Sequence, residues 1–388
     1  MLTKDTKVAI VGGGPGGLVL ARLLQLKGVS VIVYERDKSR AVRVQGATLD
    51  LHEESGLKAL EAAGLMDAFK ANYRPDADKI RITDKQGSIL FDDHLEEQVA
   101  DFGDEHFRPE IDRGPLRELL LDSLHPGTVI WDSHIVGLEP QGAGWLLRFQ
   151  QDITAYADLV IGADGANSKI RPYVTPVKAF YSGVTVVEGS VYDAAVTTPE
   201  VYGLLKGGKI FALGQAQSLI VSSKGDGSIA FYTGCKTPEN WVKDSGIDFT
   251  NKVQVLNWFK EAFAGWGNIW LELFANDNTY FIPRPQYCMP LDQTWEAKAN
   301  ITLLGDAAHL MPPYAGEGVN MAMQDALELS ECITSEDHKD MQAAIAHYEN
   351  QMRKRASETA RVTLEQTDAL HAEDGLQYLV NMLGGGRE

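Results

Sequence analysis

The chain has 388 residues, of which 44% are hydrophobic and 23% are charged. A length beyond roughly 250–300 residues favours more than one domain, and this composition is typical of a folded protein rather than a disordered one. The formal net charge of −18 repels phosphate backbones and anionic lipid headgroups, which argues against nucleic acid or a membrane surface as a partner.

The cysteine content and the lengths of the apolar runs bear on the cellular compartment in which the protein is expected. Cys235, Cys288 and Cys332 are odd in number and widely spaced, which fits neither a disulfide framework nor a CxxC metal motif. We expect them to be core thiols in a reducing environment. The sequence after Met1 does not read as a signal peptide, and no apolar run approaches the ~20 residues that a membrane helix needs. We therefore expect a cytoplasmic protein, and a monomer.

The first elements of the chain predict a β-α-β unit. Residues 7–11 and 29–34 are typical of buried parallel strands, and apolar residues recur between them at helical spacing. Residues 158–161 and 301–304 predict two more buried strands. If these join the first sheet, the layer is discontinuous in sequence.

The segment between the late strands predicts a different architecture. Residues 175–282 alternate small, aromatic and β-branched residues with turn signals such as KGDG, a pattern that indicates antiparallel sheet. Near the carboxyl end, Leu376, Leu379, Val380 and Leu383 form a helical apolar stripe that must dock on another element. The predicted fold class is α/β, with a Rossmann-like domain at residues 1–174 and 283–350, a β-sheet domain at 175–282, and a C-terminal helical segment at 351–388.

The stretch GGGPGG places Gly12, Gly14 and Gly17 between a predicted strand and a predicted helix. In this context the first glycine permits a tight turn, the second admits a pyrophosphate, and the third lets the helix pack on the strand. Glu35 ends the second strand, where a carboxylate can accept hydrogen bonds from ribose hydroxyls. A 2′-phosphate would be repelled there, so the motif favours FAD or NAD over NADP.

Two distant loops bear on that choice. In GDAAHLMPPYAGEGVN, residues 305–320, Asp306 follows a strand, and Gly316 and Gly318 open a helix whose N-terminus suits a ring system that becomes anionic on reduction. Reduced flavin is such a ring. The second loop, GADGANSKIR, contains an Asp-Gly pair that alone indicates only a turn. We interpret His309 as a structural, hydrogen-bonded histidine. HExxH, GxSxG and P-loop motifs are missing, which argues against hydrolases and kinases.

Together these three motifs resemble the fingerprints of the group A flavoprotein monooxygenases, the aromatic-hydroxylase family. Within that family, YERD, GATLDLH, TVIWD and the late loop are similar to the tetracycline-inactivating TetX-type enzymes. The resemblance implies FAD and NADPH as cofactors, a substrate domain in the inserted sheet, and a C-terminal helix that bridges the domains. It also implies these cofactor-binding residues: Gly12, Gly14, Gly17, Glu35, Arg36, Arg43, Asp50, Arg113, Asp164, Asp306, Pro313, Gly316, Glu317, Gly318, Val319 and Asn320. Of these, Arg43 is matched with an NADPH contact and Asp164 with both cofactors.

The sequence differs from the TetX-type enzymes at positions that align with their substrate-contacting residues. A Gln, an Arg and a His of those enzymes align with Glu188, Lys209 and Ala230. A carboxylate changes which hydrogen bonds are possible, and a lysine lacks the planar fork of an arginine. Glu188 and Lys209 are the candidate substrate residues, and tetracycline is one candidate substrate.

The resemblance implies that NADPH reduces FAD, and that a flavin C4a-hydroperoxide then hydroxylates an electron-rich phenol or enol. Chemistry carried by the flavin needs no protein nucleophile, which agrees with the lack of a triad or metal motif. We name no catalytic side chain and no metal. Two alternatives remain open from the sequence: a flavin oxidase or dehydrogenase of a small aromatic compound, and a non-catalytic flavoprotein that sequesters a polycyclic ligand.

Overall fold

The computed structural model describes residues 2, 5–42, 46–94, 101–104, 107–276 and 279–384. Its strands form four sheets. In chain order the strands are β1 (Val8–Val11), β2 (Val31–Tyr34), β3 (Leu49–Asp50), β4 (Ile80–Asp84), β5 (Ile89–Asp92), β6 (Glu110–Ile111), β7 (Val129–Ile130), β8 (Ile135–Gln141), β9 (Gly144–Phe149), β10 (Thr154–Ala157), β11 (Leu159–Gly162), β12 (Phe180–Val191), β13 (Lys209–Gly214), β14 (Gln217–Ser223), β15 (Ile229–Lys236), β16 (Thr279–Cys288) and β17 (Ile301–Leu303).

Helices cover the sheets and connect them. They are α1 (Pro15–Leu26), α2 (Lys58–Ala62), α3 (Met66–Lys70), α4 (Arg113–Asp122), α5 (Arg171–Val174), α6 (Ala194–Thr197), α7 (Pro199–Leu205), α8 (Trp241–Asp244), α9 (Lys252–Ala262), α10 (Glu272–Ala275), α11 (Asp306–His309), α12 (Gly318–Thr334), α13 (Met341–Leu370) and α14 (Gly375–Gly384). A π-helical turn (Glu53–Leu57) precedes α2, and a 3-10 turn (Pro313–Ala315) precedes α12.

The first sheet confirms the predicted discontinuous layer. It has five parallel strands in the order β17-β11-β1-β2-β7, so strands separated by about 150 residues of sequence are hydrogen-bonded neighbours. All four residues of β1 are buried, as expected for a parallel strand covered on both faces. Because parallel strands end at the same edge, the loops after β1, β11 and β17 lie side by side.

The inserted sheet contains strands from outside residues 175–282. Seven strands run in the order β16-β12-β15-β14-β13-β4-β5. We assigned residues 1–174 to the nucleotide-binding domain, but β4 and β5 belong to this sheet, and β4 pairs in parallel with β13. The expected boundary between residues 282 and 283 falls within β16. The sheets therefore do not follow the predicted domain boundaries, because the β4-β5 hairpin pairs with β13, which lies far along the chain.

The carboxyl-terminal part forms two helices. The expected boundary between residues 350 and 351 lies inside α13, which contributes Ile345, Tyr348 and Met352 to the core of the first sheet. Leu379 of α14 is buried with Ile82 and Leu213 of the seven-stranded sheet. The predicted apolar stripe thus docks as expected. The two helices in succession contact both layers.

Two further expectations can be compared with the structure. The three cysteines are buried as free thiols in the described structure, which confirms their prediction as core residues. Across the described ranges, no helix combines the length and the apolar character that crossing a bilayer requires.

Candidate active site

The glycine loop after β1 leaves room for a ligand beside its second motif glycine. Gly12 has a φ of +113°, and a Cβ there would lie 2.2 Å from the carbonyl oxygen of Ala163. A Cβ on Gly17 would lie 2.2 Å from the oxygen of Gly12. A Cβ on Gly14 would meet no described atom within 4 Å. The first and third glycines therefore serve backbone packing, whereas the second faces open space.

Helix α1 begins at this loop with its amide groups available. Gly14 is the N-cap residue and Pro15 the first helical residue, and the first turn carries neither a capping side chain nor an acidic residue among the described atoms. The positive end of the helix dipole therefore faces the open space beside Gly14. An anionic pyrophosphate is the ligand that such an end favours.

Glu35 lies where the sequence predicted, at the end of β2 against the glycine loop. Its buried carboxylate accepts hydrogen bonds from the amide of Gly13 at 2.5 Å and from the amide of Asp37 at 2.9 Å. The side chain of Arg36 is exposed next to it. Arg43, the expected NADPH contact, lies outside the described residues.

The loops after β11 and β17 are fastened to each other. Asp164 uses its carboxylate within its own loop, where it accepts from the Ser168 hydroxyl at 2.5 Å and from the Lys169 amide at 2.6 Å. Arg171 crosses between the loops and donates to the carbonyl oxygen of Asp306 at 2.7 Å. The Asp306 side chain remains exposed at the start of α11. The structure thus brings Asp164 and Asp306 to one edge of the sheet.

His309 is structural, as we interpreted it from the sequence. It is buried, and its Nε2 lies 2.6 Å from Oδ2 of Asp325. Burial alone lowers the pKa of His309, but the charge of Asp325 and its hydrogen bond raise it overall. Asp325 also accepts from the amide of Gly305 at 2.9 Å. This pair therefore fixes the loop after β17 to α12.

The glycine-rich start of α12 carries further predicted cofactor residues, and most of them are accessible. Pro313, Gly316 and Gly318 are exposed, and Glu317 and Val319 are half-buried. A Cβ on Gly318 would meet no described atom within 4 Å, and the described first turn of α12 has neither a capping side chain nor an acidic residue.

Asn320 differs from its neighbours because its side chain is fully buried. It donates to the carbonyl oxygen of Asp50 and accepts from the amide of His52, both at 3.0 Å. Asn320 therefore fixes the segment after β3 against the first turn of α12.

Next to Asn320, five charged side chains form an ion cluster: Asp50, His52, Glu110, Lys209 and Glu317. Nε2 of His52 lies 3.0 Å from Oδ2 of Asp50, and its Nδ1 lies 3.4 Å from Oε1 of Glu317. Burial alone lowers the pKa of His52, but the two carboxylates raise it to about 9. Burial alone raises the pKa of Asp50, but the hydrogen bond from His52 and the charge of Lys209 lower it overall. His52 is thus an imidazolium between two carboxylates at neutral pH.

Lys209 completes the cluster. Asp50 and Glu110 are directly opposed in the small β3-β6 sheet, and the ammonium of Lys209 pairs with Glu110. Burial raises the pKa of Glu110, and Lys209 only partly offsets this. Burial alone lowers the pKa of Lys209, but Glu110 and Asp50 raise it overall. The predicted substrate residue is therefore held by a buried carboxylate and keeps 18% of its side chain exposed.

Glu188 and Lys209 share one face of the seven-stranded sheet. The strand register aligns Glu188 with Tyr232, Ile220 and Phe211 across four strands, and Lys209 lies two residues before Phe211. The intervening residues, among them Val187, Phe231 and Ile210, belong to the apolar core on the opposite face. Ala230 lies on the same face as Glu188, opposite Ser190.

Glu188 is buried, with 3% of its side chain exposed. Its Oε2 pairs with the guanidinium of Arg284, whereas its Oε1 has no hydrogen-bond partner among the described residues. Tyr232, opposite Glu188, accepts from the amide of Ala47 at 2.8 Å. Arg113 donates to the carbonyl oxygen of Ala47 at 3.0 Å. The backbone of Ala47 thus links the exposed Arg113 to Tyr232, on the face of the seven-stranded sheet that carries Glu188.

Several residues of the site were not predicted. His52 had a detectable signal, because Asp50 and His52 are two residues apart in an extended segment and such residues share a face. Arg171 lies within the GADGANSKIR loop, but its position in the sequence does not indicate that it bridges two loops. Glu110, Tyr232 and Arg284 carry no local signal, since each is recruited by pairing between segments far apart in sequence.

The arrangement fits FAD. Gly14 and Gly318 each adjoin open space at the uncapped starts of α1 and α12, and the carboxylate of Glu35 lies beside the first of these starts. The first helix start suits a pyrophosphate and the second a ring that becomes anionic on reduction. Bound FAD would supply electron transfer and the activation of O₂.

Comparison with known proteins agrees with this fit. A family model described as "FAD binding domain" matches residues 5–114 and 293–363. Monooxygenase asqM of Emericella nidulans is 29% identical, over 84% of this chain and 83% of its own length. The 3-amino-4-hydroxybenzoate 2-monooxygenase PtmB3 of Streptomyces platensis is 27% identical, over 96% and 90%.

Among solved structures, tetracycline destructase Tet(55) superposes with a TM-score of 0.76 at 20% identity, covering 99% of this chain and 96% of that one. At this identity the likeness concerns the fold. The family model covers β1, β2 and β17 of the split nucleotide-binding layer, and the two curated relatives cover 84% and 96% of the chain. The chain thus contains the FAD binding domain that the family model describes and is similar over most of its length to named monooxygenases, which identifies it as an FAD-dependent monooxygenase.

Proposed function

We propose that this monooxygenase uses NADPH and O₂ to hydroxylate an electron-rich phenol or enol. The substrate binds between the face of the seven-stranded sheet that carries Glu188 and the loop that precedes α12. The net reaction converts substrate, O₂, NADPH and a proton into hydroxylated substrate, water and NADP⁺. NADPH as donor is supported by the family resemblance, which matches Arg43 with an NADPH contact and Asp164 with a motif linked to both cofactors.

The proposed substrate class rests on one observation, the unpaired hydrogen-bond acceptor Oε1 of Glu188. Its Oε1 is buried without a hydrogen-bond partner among the described residues, and leaving such an atom unpaired costs roughly 1–3 kcal/mol. A ligand O–H or N–H would satisfy it. Arg284 pairs with the other oxygen of Glu188, which leaves Oε1 as an acceptor that can orient a phenol or enol hydroxyl.

The names of one sequence relative and one structural neighbour support a phenol or enol substrate. PtmB3 is named for an amino-hydroxybenzoate, a phenol. Tet(55) is named for tetracycline, whose rings carry phenol and enol groups. Tetracycline is therefore one candidate within the proposed class, and a simple hydroxybenzoate is another.

Product analysis under ¹⁸O₂ tests the proposal. Purified protein with FAD is incubated with NADPH or NADH and with tetracycline, 4-hydroxybenzoate or 3-amino-4-hydroxybenzoate, and the products are examined by mass spectrometry. We expect one product that gains a single ¹⁸O atom, with faster oxidation of NADPH than of NADH. Oxidised product without ¹⁸O, accompanied by H₂O₂, would identify an oxidase instead. Binding without turnover of any compound would favour a sequestering protein.

A further inference from the structure

Three polar side chains meet behind the loop that precedes α12. Nε2 of His371 lies 3.1 Å from Oγ of Ser218 and 3.3 Å from the hydroxyl oxygen of Tyr314. His371 and Ser218 are 1% and 2% exposed. These residues come from the turn after α13, from β14 and from the 3-10 turn (Pro313–Ala315). The contact therefore joins three elements that are distant in sequence.

The hydrogen bonds define the tautomer of His371. Nδ1 lies 2.7 Å from the carbonyl oxygen of Thr367, which can only accept, so Nδ1 carries the proton. Burial lowers the pKa of His371, and the imidazole is neutral. Nε2 is consequently an acceptor for the hydroxyl groups of Tyr314 and Ser218. Because Ser218 is buried, this serine and histidine do not form an accessible nucleophile.

Gly234 provides the space in which these atoms meet. It lies on β15, directly opposite Ser218. A Cβ at this position would lie 2.3 Å from Nε2 of His371, 2.3 Å from Oγ of Ser218 and 2.8 Å from the Tyr314 hydroxyl. The sheet thus has a side-chain-sized gap at this point, and the three polar groups occupy it.

The contact at His371 links the loop that precedes α12 to the terminal helix α14. Tyr314 lies two residues before Gly316, where a Cβ would lie 3.6 Å from Oδ2 of Asp50 in the ion cluster. His371 directly follows α13 and leads into α14, which packs on the site face of β13 and β4. A change at His371 can therefore reach both the loop and the terminal helix.

We propose that His371 is a positioning residue that fixes Tyr314 and, through it, the loop beside the flavin ring. This inference rests on the proposed function, in which that loop borders the ring. With 1% of its surface exposed, His371 acts through the residues that it contacts. It acts by holding one hydroxyl in place, so that the ring and the sheet face keep a constant separation.

Substitutions at both ends of the contact test the inference. His371→Leu and Tyr314→Phe each remove the hydrogen bond, and His371→Gln keeps an acceptor. We expect the first two variants to bind FAD about 3- to 10-fold more weakly, with a shifted visible spectrum and midpoint potential of bound flavin. His371→Gln should restore part of each shift. Gly234→Ala should reproduce them, because its methyl group displaces the same atoms. His347→Leu is the matched control, since His347 is exposed on α13.

A double variant separates the inference from simple loss of packing. If His371 acts through Tyr314, the effects of His371→Leu and Tyr314→Phe on flavin potential are not additive. Parent-like flavin spectra and potentials in both single variants, with normal FAD binding, would overturn the inference and leave the proposed function standing. Tyr314→Phe, a small change, provides this outcome even if His371→Leu does not fold. Failure of the parent chain to bind FAD would overturn both.

Discussion

The imidazole of His52 donates to the carboxylate of Asp50, two residues earlier, across 3.0 Å. Its other nitrogen faces Glu317, at the start of α12. One side chain thus joins the β3 segment to the flavin-side helix by charge, next to the neutral tether that Asn320 provides. The charge on His52 depends on pH, and so does this link.

We expect the His52 link to weaken at alkaline pH. The folded-state pKa of His52 is raised from 6.5 to about 9. Its stabilising contribution is therefore fully present below pH 6.5 and is lost as the pH rises through 9, with a maximum of roughly 3 kcal/mol. Denaturant titrations at about pH 6, 7.5 and 9 measure this slope. His52→Gln should flatten it, whereas the exposed His347→Gln should not. A parent-like slope in His52→Gln would show that other groups cause the pH dependence.

Gly12 and Gly14 should respond oppositely to substitution. Gly14→Val projects into open space, so we expect a parent-like Tm and at least about tenfold weaker FAD binding, because the side chain occupies the pyrophosphate position. Gly12→Ala combines a φ of +113° with a clash at 2.2 Å and should cost several kcal/mol of stability, on the order of 3. Thermal melts with and without FAD, together with FAD titration, distinguish the two effects. Full FAD occupancy in Gly14→Val would contradict the assigned role.

Lys209 should be needed for stability as well as for the site. Lys209→Met leaves Glu110, which is 2% exposed, as a buried and unpaired carboxylate opposite Asp50. We expect a loss of roughly 3–5 kcal/mol in the free energy of unfolding. Adding Glu110→Gln should recover most of this loss, since it removes the uncompensated charge. Denaturant unfolding of both variants at neutral pH measures the difference, and an equally unstable double variant would show that packing rather than charge is responsible.

The sequence predicted the nucleotide-binding layer well because its signals are local. The residues of β1, β11 and β17 form short apolar runs that end in glycine or aspartate loops, so each strand and its functional loop could be identified without knowledge of the partner strand. The predicted packing roles of Gly12 and Gly17 depend on local backbone geometry, and a Cβ at either position would lie 2.2 Å from a backbone oxygen.

The missed features depend on pairing between distant segments. The hairpin of β4 and β5 joins the inserted sheet because β4 aligns with β13, over 120 residues later, and short strands do not encode such a partner. Glu110 and Lys209, or Tyr314 and His371, likewise meet only after the sheets assemble. Each residue alone resembles an ordinary surface or core side chain, so its function follows from tertiary contacts.

Glu188 should determine which substrates are accepted. Glu188→Gln keeps the volume and the Arg284-facing side of the residue but replaces a carboxylate by an amide that also donates. For a substrate that presents a hydroxyl to Oε1, we expect kcat/KM to fall about 10- to 100-fold, with unchanged FAD content. Steady-state kinetics over the phenol and tetracycline panel measure the change. Arg284→Met is the companion variant: it leaves Glu188, 3% exposed, as a buried carboxylate without its cationic partner, so we expect a loss of roughly 3 kcal/mol in the free energy of unfolding. Identical kinetics for Glu188→Gln and parent over the whole panel would remove Glu188 from the substrate site.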